Sequence, residues 1–392
     1  MGKTNPVFLF SGILVLAGLA GFLLLLSFDQ PERAWQIYLV NFLFWSAVAQ
    51  GGLLFSMIMH VTKARWSGAV QNLSETFAAF FPISLAAFLV LFLGREHIFP
   101  WLHTDLGPKA VWLNLPFLFI RDLVGLLLLY GLGVAYVRFA FRAKVAAGGG
   151  GGMLRLLVGK PADPEACRAG MTRTAIAYMF AYGAVLSLIS FDLVMSMDPH
   201  FISTLFGGYF FIKALFVGLG ALIIVASVVS LALGDRSQLK PAHFHDVGKL
   251  FFAFTIVWAY FLYAQVLVIW YGNVPEETHY LLQRFEYAGW KFVLVLAFVM
   301  AFVIPFFVLI NERAKKTPIL MLVVCSLALT GIWLENLLLI GPPLHFDTGS
   351  VSLRVFDALI SLGFLGLMAL AVSGLLRAFP ELIFKAEEKV AQ

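Results

Sequence analysis

An all-α, polytopic membrane fold is predicted by three observations. Ten apolar runs are long enough to cross a bilayer, the composition is too apolar for a soluble surface, and Lys and Arg are segregated to alternate connections. Of the 392 residues, 61% are hydrophobic and 12% charged, and the mean hydropathy is +0.91. Such a chain lacks the polar area to cover a water-facing globule. The expected spans are 7–28, 36–60, 76–94, 115–139, 171–196, 205–233, 248–272, 288–311, 317–341 and 354–378. At about 1.5 Å per residue each reaches the roughly 30 Å hydrocarbon core, the third only marginally.

The first span follows Lys3 as a signal peptide would, but its apolar region is too long and Ala-Gly-Leu-Ala-Gly leads into more leucines, so it reads as a retained helix. The third opens at Ser74 and Glu75, where Asn72 or Ser74 is placed to cap and Glu75 to meet the positive helix end. Between the fourth and fifth spans, residues 140–170 carry a run of glycines with no Gly-Lys-Ser/Thr after it, which reads as a flexible linker rather than a phosphate loop. The stretches 95–116 and 273–289 are expected to be ordered, with Trp101, Trp112, Tyr280, Tyr287 and Trp290 in an interfacial aromatic belt. Neither is large enough to be a catalytic domain. Pro82, Pro116 and Pro305 are expected near span ends, which leaves no paired helix break of the kind secondary transporters use.

If the N-terminus is cytoplasmic, 19 of the 27 Lys and Arg residues fall on that side, while Glu276, Glu277 and Glu286 fall opposite. The positive-inside rule then puts both termini in the cytoplasm.

Cys167 and Cys325 are too few and too far apart for a cluster or a CxxCH haem. The eight histidines, His345 among them, sit at span ends or in connections, so no haem-sandwiching pair is expected. His243 and His245 lack a third ligand and read as residues of a solvated loop. No metal site is expected.

Depth is the most informative feature. Counting along alternately directed spans puts Arg121, Asp122, Asp192, Lys213, Glu335 and Asp357, with Arg354, in one outer layer. Ionisable groups inside a bilayer are costly and commonly functional. A convergent set of carboxylates and bases suits proton acceptance or relay; snorkelling charges and structural ion pairs are the alternative. His200 lies at the same level. Tyr178 and Tyr182 continue inward below Asp192 as a hydroxyl stripe, and Gln50, His60 and Glu75 form a smaller set for inner-side proton uptake.

Four segments carry a resemblance. They are Tyr-Leu-Val-Asn-Phe-Leu-Phe-Trp-Ser-Ala-Val-Ala-Gln-Gly-Gly from Tyr38, His60-Val-Thr-Lys-Ala-Arg-Trp, Phe191-Asp-Leu-Val-Met-Ser-Met-Asp-Pro-His-Phe-Ile-Ser-Thr-Leu-Phe-Gly, and Ile269-Trp-Tyr-Gly-Asn-Val-Pro-Glu-Glu-Thr. Over most of its length the chain resembles the ActF subunits of alternative complex III, within the NrfD/PsrC-like membrane proteins. The resemblance implies a single membrane domain over 1–392. Spans two to five (36–139 with 171–196) and six to nine (205–341) would form two four-helix bundles flanked by spans one and ten.

The resemblance also implies residence in a bacterial inner membrane and a role in quinol oxidation towards a c-type cytochrome. Haem c and iron-sulfur clusters would lie in partner subunits: an NrfD-like sibling (ActC), an iron-sulfur protein (ActB), c-type cytochromes and a haem-copper oxidase. This chain would carry a proton path or a quinol-associated site through Asp122, Asp192 and Glu335, with no cofactor of its own beyond a nearby menaquinol or other quinol. Lipid is an expected partner and nucleic acid is not. A passive membrane anchor and a secondary transporter remain open as alternatives.

Overall fold

A computed structural model describes residues 6–28, 30–64, 66–146, 163–344 and 354–379. Ten helices are long and apolar enough to span a membrane: α1 Pro6–Ser27, α2 Pro31–Val61, α3 Gly68–Ile98, α4 Leu115–Val145, α5 Pro164–Met197, α6 Phe206–Arg236, α7 Pro241–Gly272, α8 Ala288–Ile310, α9 Pro318–Pro343 and α10 Val355–Ala378. There is no β-strand among the described residues. The protein is an all-α, multi-pass membrane protein. Internally hydrogen-bonded helices are what an apolar solvent demands of a backbone.

α2 and α6 form the centre. Their apolar windows are 89% and 72% buried within the protein, against 22% for α1. The two cross where glycines let backbones meet: a Cβ on Gly51 would lie 1.9 Å from the Ala214 carbonyl oxygen, and one on Gly218 would lie 2.2 Å from the Gly51 carbonyl carbon. Around them α4 packs on α5, α5 on α2 and α6, α7 and α9 on α6, and α8 on α9. α1 packs chiefly on α10, through Gly18 and Gly363.

Several spans run further than the sequence predicts. α3 begins at Gly68 rather than 76, so it crosses with length to spare and Pro82 lies near its middle, not at an end. Its turns tighten over Glu75–Phe80, just ahead of Phe81-Pro82. Proline lacks the amide hydrogen and its ring crowds the carbonyl four residues back, which explains the change of winding. α8 answers the same crowding oppositely, with a wide π turn over Val299–Val303 before Pro305. Two spans therefore carry proline-associated irregularities, the one at Pro82 near mid-helix rather than near a span end as expected.

α5 begins at Pro164, which puts Cys167 inside a helix and buried rather than in a loop. α7 begins at Pro241, so His243 and His245 belong to its first two turns; His243 Nδ1 accepts from the Lys240 amide at 3.0 Å. A short helix, Pro275–Phe285, bridges α7 and α8. The aromatic belt is only half present: Trp112 and Tyr287 are exposed, but Trp101, Tyr280 and Trp290 are buried. The core of the 140–170 linker, together with His345, lies outside the described residues.

Candidate functional site: buried ion pairs and a polar file

The face bearing Pro6 is called here the near face and the other the far face. The layer of charge predicted at one depth does lie toward the far ends of the helices, but as three ion pairs rather than one convergent set.

In the first, Asp192 on α5 receives Arg121 of α4 in a two-pronged contact, Nε to Oδ2 and Nη2 to Oδ1, each 2.5 Å. The Trp112 indole donates to Oδ1 at 3.0 Å, and the guanidinium lies 4.0 Å from the Trp112 ring centroid. Fork-to-carboxylate geometry of this kind is the strong form of an ion pair. Asp122, the next residue on α4, is fully buried, and neither carboxyl oxygen has a hydrogen-bond donor. It follows Arg121 directly on α4, beside the Arg121–Asp192 pair.

The second pair joins α6 to α9. Lys213 Nζ lies 3.2 Å from Glu335 Oε1 and 2.8 Å from Asn336 Oδ1. Tyr209 donates to the same Glu335 oxygen, and the Trp258 indole donates to Oε2 at 3.3 Å. Desolvating an acid and an amine is expensive; three donors on one carboxylate offset it. In the third, Asp357 of α10 accepts from Arg33 of α2 (Nε to Oδ1, 3.0 Å) and from the Arg354 amide at 2.8 Å.

Toward the near face, α2 to α5 enclose a file of buried polar groups. Tyr182 donates to the Phe211 carbonyl at 2.9 Å and stacks at 6.1 Å on Tyr178, whose hydroxyl donates to the Gln50 carbonyl at 3.3 Å. The Gln50 amide donates to Ser46 at 2.8 Å and to Tyr130 at 3.2 Å, and Ser84 meets Tyr130 at 2.7 Å. Six residues further along α2, Ser56 meets Tyr136 at 3.0 Å, and the Ser56 amide donates to the Ser74 hydroxyl, also at 3.0 Å. The file ends at Glu75, which is buried and pairs with Lys144 at 2.5 Å. Ser74 and Glu75 lie inside α3, so the expected capping role of this segment is replaced by an interhelical ion pair. His60 bonds Thr172 at 3.0 Å beside Tyr136.

The second half holds a cavity of about 630 Å³ whose mostly apolar wall includes Ile256, Tyr260, Leu294 and Phe298 and whose polar groups include Glu335 and Tyr209. Tyr260 and Val295 are exposed at its rim. Tyr280 and Arg284 of the short helix close it on the far side. Burial holds the Tyr280 hydroxyl above the ordinary phenol range and draws the Arg284 guanidinium below its usual value. Arg284 meets three backbone carbonyls: Leu338 at 3.2 Å, Leu339 at 2.9 Å and Tyr280 at 2.5 Å.

His200 stands apart from the carboxylates. It lines a separate far-face pocket with Asp198 and His279, and its amide donates to Asp198 Oδ1 at 3.1 Å. Among the described residues no group of His, Cys, Asp and Glu is arranged to hold a metal ion.

Sequence reasoning missed Arg33, Tyr209, Trp258, Asn336, Tyr130, Tyr136 and Lys144. Arg33 had a usable signal, since it opens α2 at the depth where Asp357 opens α10. Tyr130 and Tyr136 had none beyond their presence in an apolar run.

No protein-family model matches the chain, and no curated protein matches it.

Proposed function

We propose that this chain is the membrane-embedded, non-redox-centre subunit of a quinol-oxidising respiratory complex of the alternative complex III type. It carries a proton path between its two faces. The observation behind the reading is the placement of buried carboxyls at both ends of α2–α5, Asp122 with Asp192 at one and Glu75 at the other, with a file of hydroxyl and amide groups between them. Asp122 and Tyr130, and Gln50 and Ser56, are eight and six residues apart, so the gaps are about 12 and 9 Å along the axis, distances that a few ordered waters bridge. A structural anchor needs ion pairs but has no use for a carboxyl lacking any donor, and Asp122 is one.

In this reading a proton carried by Asp122 leaves toward the far face while Arg121 stays paired with Asp192. Tyr130, Gln50, Tyr136 and Glu75 pass the next one along the file. Electrons travel in partner subunits through iron-sulfur clusters and haem c; this chain contributes no ligands to them. The cavity beside Glu335 favours a quinol-associated role for the second half, since it joins an apolar chamber to a carboxylate and a phenol.

The test is isolation of the protein with its companions, followed by assay of quinol oxidation and proton release in vesicles. Co-purifying multihaem cytochrome and iron-sulfur subunits, with proton release lost in Asp122→Asn while electron transfer persists, would support the reading. Solute uptake by the chain alone would favour a transporter, and unchanged proton release in an intact Asp122→Asn complex would leave the anchor.

A further inference from the structure

We propose that the groove between α2, α6, α9 and α10 is a site for one membrane phospholipid, its anionic headgroup held at Arg354 and an acyl chain lying in the shaft below. The proposal stands independently of the proton path. The groove measures about 610 Å³ and is walled by Trp45, Ile224, Leu329, Trp333, Leu362 and Leu365, with Arg354 and Asp357 at its mouth.

Charge decides the headgroup. Asp357 is buried and already neutralised by Arg33. Arg354 is exposed, and its guanidinium donates through Nη1 to the neutral Gln30 Oε1 at 2.5 Å. Among the described residues no carboxylate forms an ion pair with it. Among the described residues its charge therefore stands uncompensated where α10 begins, at the end of a span where headgroups are expected, and a guanidinium is the side chain best shaped to grip phosphate oxygens.

Hydrogen bonding decides the tail. Apart from the Trp45 indole N–H, which meets no acceptor, polar groups along the shaft are spent on one another: the Trp333 indole donates to Asn41 Oδ1 at 3.2 Å, Asn41 Nδ2 to Ser361 at 3.0 Å, and Ser361 to the Asp357 carbonyl at 2.8 Å. Thr330 is likewise turned back onto the Ser326 carbonyl at 2.9 Å. What remains on offer is chiefly hydrocarbon wall, which suits an acyl chain better than a polar ring. Trp45 lies fourteen residues into α2, about 21 Å below its start, so the shaft is deeper than the roughly 15 Å of one leaflet.

The experiment uses the protein purified in mild detergent with whatever companions it retains, washed extensively, and analysed for phospholipid by extraction and mass spectrometry. Wild type should keep about one phospholipid per chain, and Arg354→Gln should lower retention about tenfold, as loss of one charge-assisted contact implies. Leu362→Trp, which fills the groove and leaves Arg354 in place, should displace the lipid too. Arg95→Gln, removing another far-face cation, should not. Phosphatidylglycerol added to delipidated protein should raise its thermal midpoint in wild type and not in Arg354→Gln. An equal rise with inorganic phosphate would mean a bare anion site and overturn the proposal. So would lipid retention indifferent to both variants, or a photocrosslinker at Leu362 trapping a companion or a second copy of the chain instead of lipid.

Discussion

At the scale of single residues, the informative contrast is between Asp192 and Asp122, neighbours in space that differ in what holds them. Asp192 takes two bonds from Arg121 and one from Trp112. Asp192→Asn strands the guanidinium against an amide that cannot neutralise it, and the expected loss is roughly 3–5 kcal/mol, read as a lower thermal midpoint in detergent. Asp122→Asn breaks no recorded hydrogen bond, because its oxygens receive none. That variant should fold like wild type and lose only proton exchange; a midpoint as low as that of Asp192→Asn would show that Asp122 is structural. The same logic applies to Lys213 and Glu335. Lys213→Met and Glu335→Leu should each be strongly destabilising and the double variant markedly less so, a coupling that a double-mutant cycle measures directly. The sequence made the ionised members of these pairs visible, because charge in an apolar run is conspicuous. It did not reveal who pairs with whom, since Arg121 and Lys213 share a depth with both Asp192 and Glu335, and only packing separates them. Tyr130, Tyr136 and Trp258 were silent for a different reason: aromatic groups are ordinary filling in membrane helices until a neighbour's oxygen is known.

At the scale of helices, periodicity and length made all ten spans legible, whereas their ends were not. Hydropathy falls wherever a charge occurs, so a hydropathy reading stops α3 at Glu75, although Glu75 is buried against Lys144 and the helix continues to Gly68. The winding changes ahead of Pro82 and Pro305 have the same origin, a backbone response that a proline announces but whose form depends on the neighbour. At α8 that neighbour is Gly331 of α9, where a Cβ would lie 2.7 Å from the Ala301 amide nitrogen. Close backbone approach also ranks the helix pairs. Gly51→Ala places a methyl inside the Ala214 peptide, between the two central helices, where neither backbone can retreat. Gly18→Ala meets Gly363 at 2.5 Å, but on α1, whose lipid-facing surface leaves it room to move outward. Gly51→Ala should therefore cost about 2 kcal/mol or more and lower the yield of folded protein. Gly18→Ala should cost less, with the α2–α6 core intact by limited proteolysis. Equal losses would mean that α1 and α10 are as integral to the core as α2 and α6.

At the scale of the whole molecule, the two halves differ in what they enclose: α2–α5 surround a polar file, while α6–α9 surround one ion pair and an apolar chamber open at its side. The proposed proton path has a direction only if the chain has a fixed orientation, and the charge distribution predicts one. The near-face connections and helix ends carry Lys63, Arg168, Arg236, Lys240, Arg313, Lys315 and Lys316, whereas the far-face segment after α7 carries Glu276, Glu277 and Glu286. A cytoplasmic near face is the orientation the positive-inside rule predicts, and it would open the Asp122–Asp192 end of the file outward. Both native cysteines are buried, so the wild-type chain should be silent to a membrane-impermeant maleimide, and introduced cysteines can report sidedness. On intact cells Glu286→Cys should label and Lys240→Cys should not; after permeabilisation both should. Labelling of Lys240→Cys alone would invert the molecule, placing Glu75 and Lys144 at the outer end of the file and reversing the direction of every proton step assigned to it.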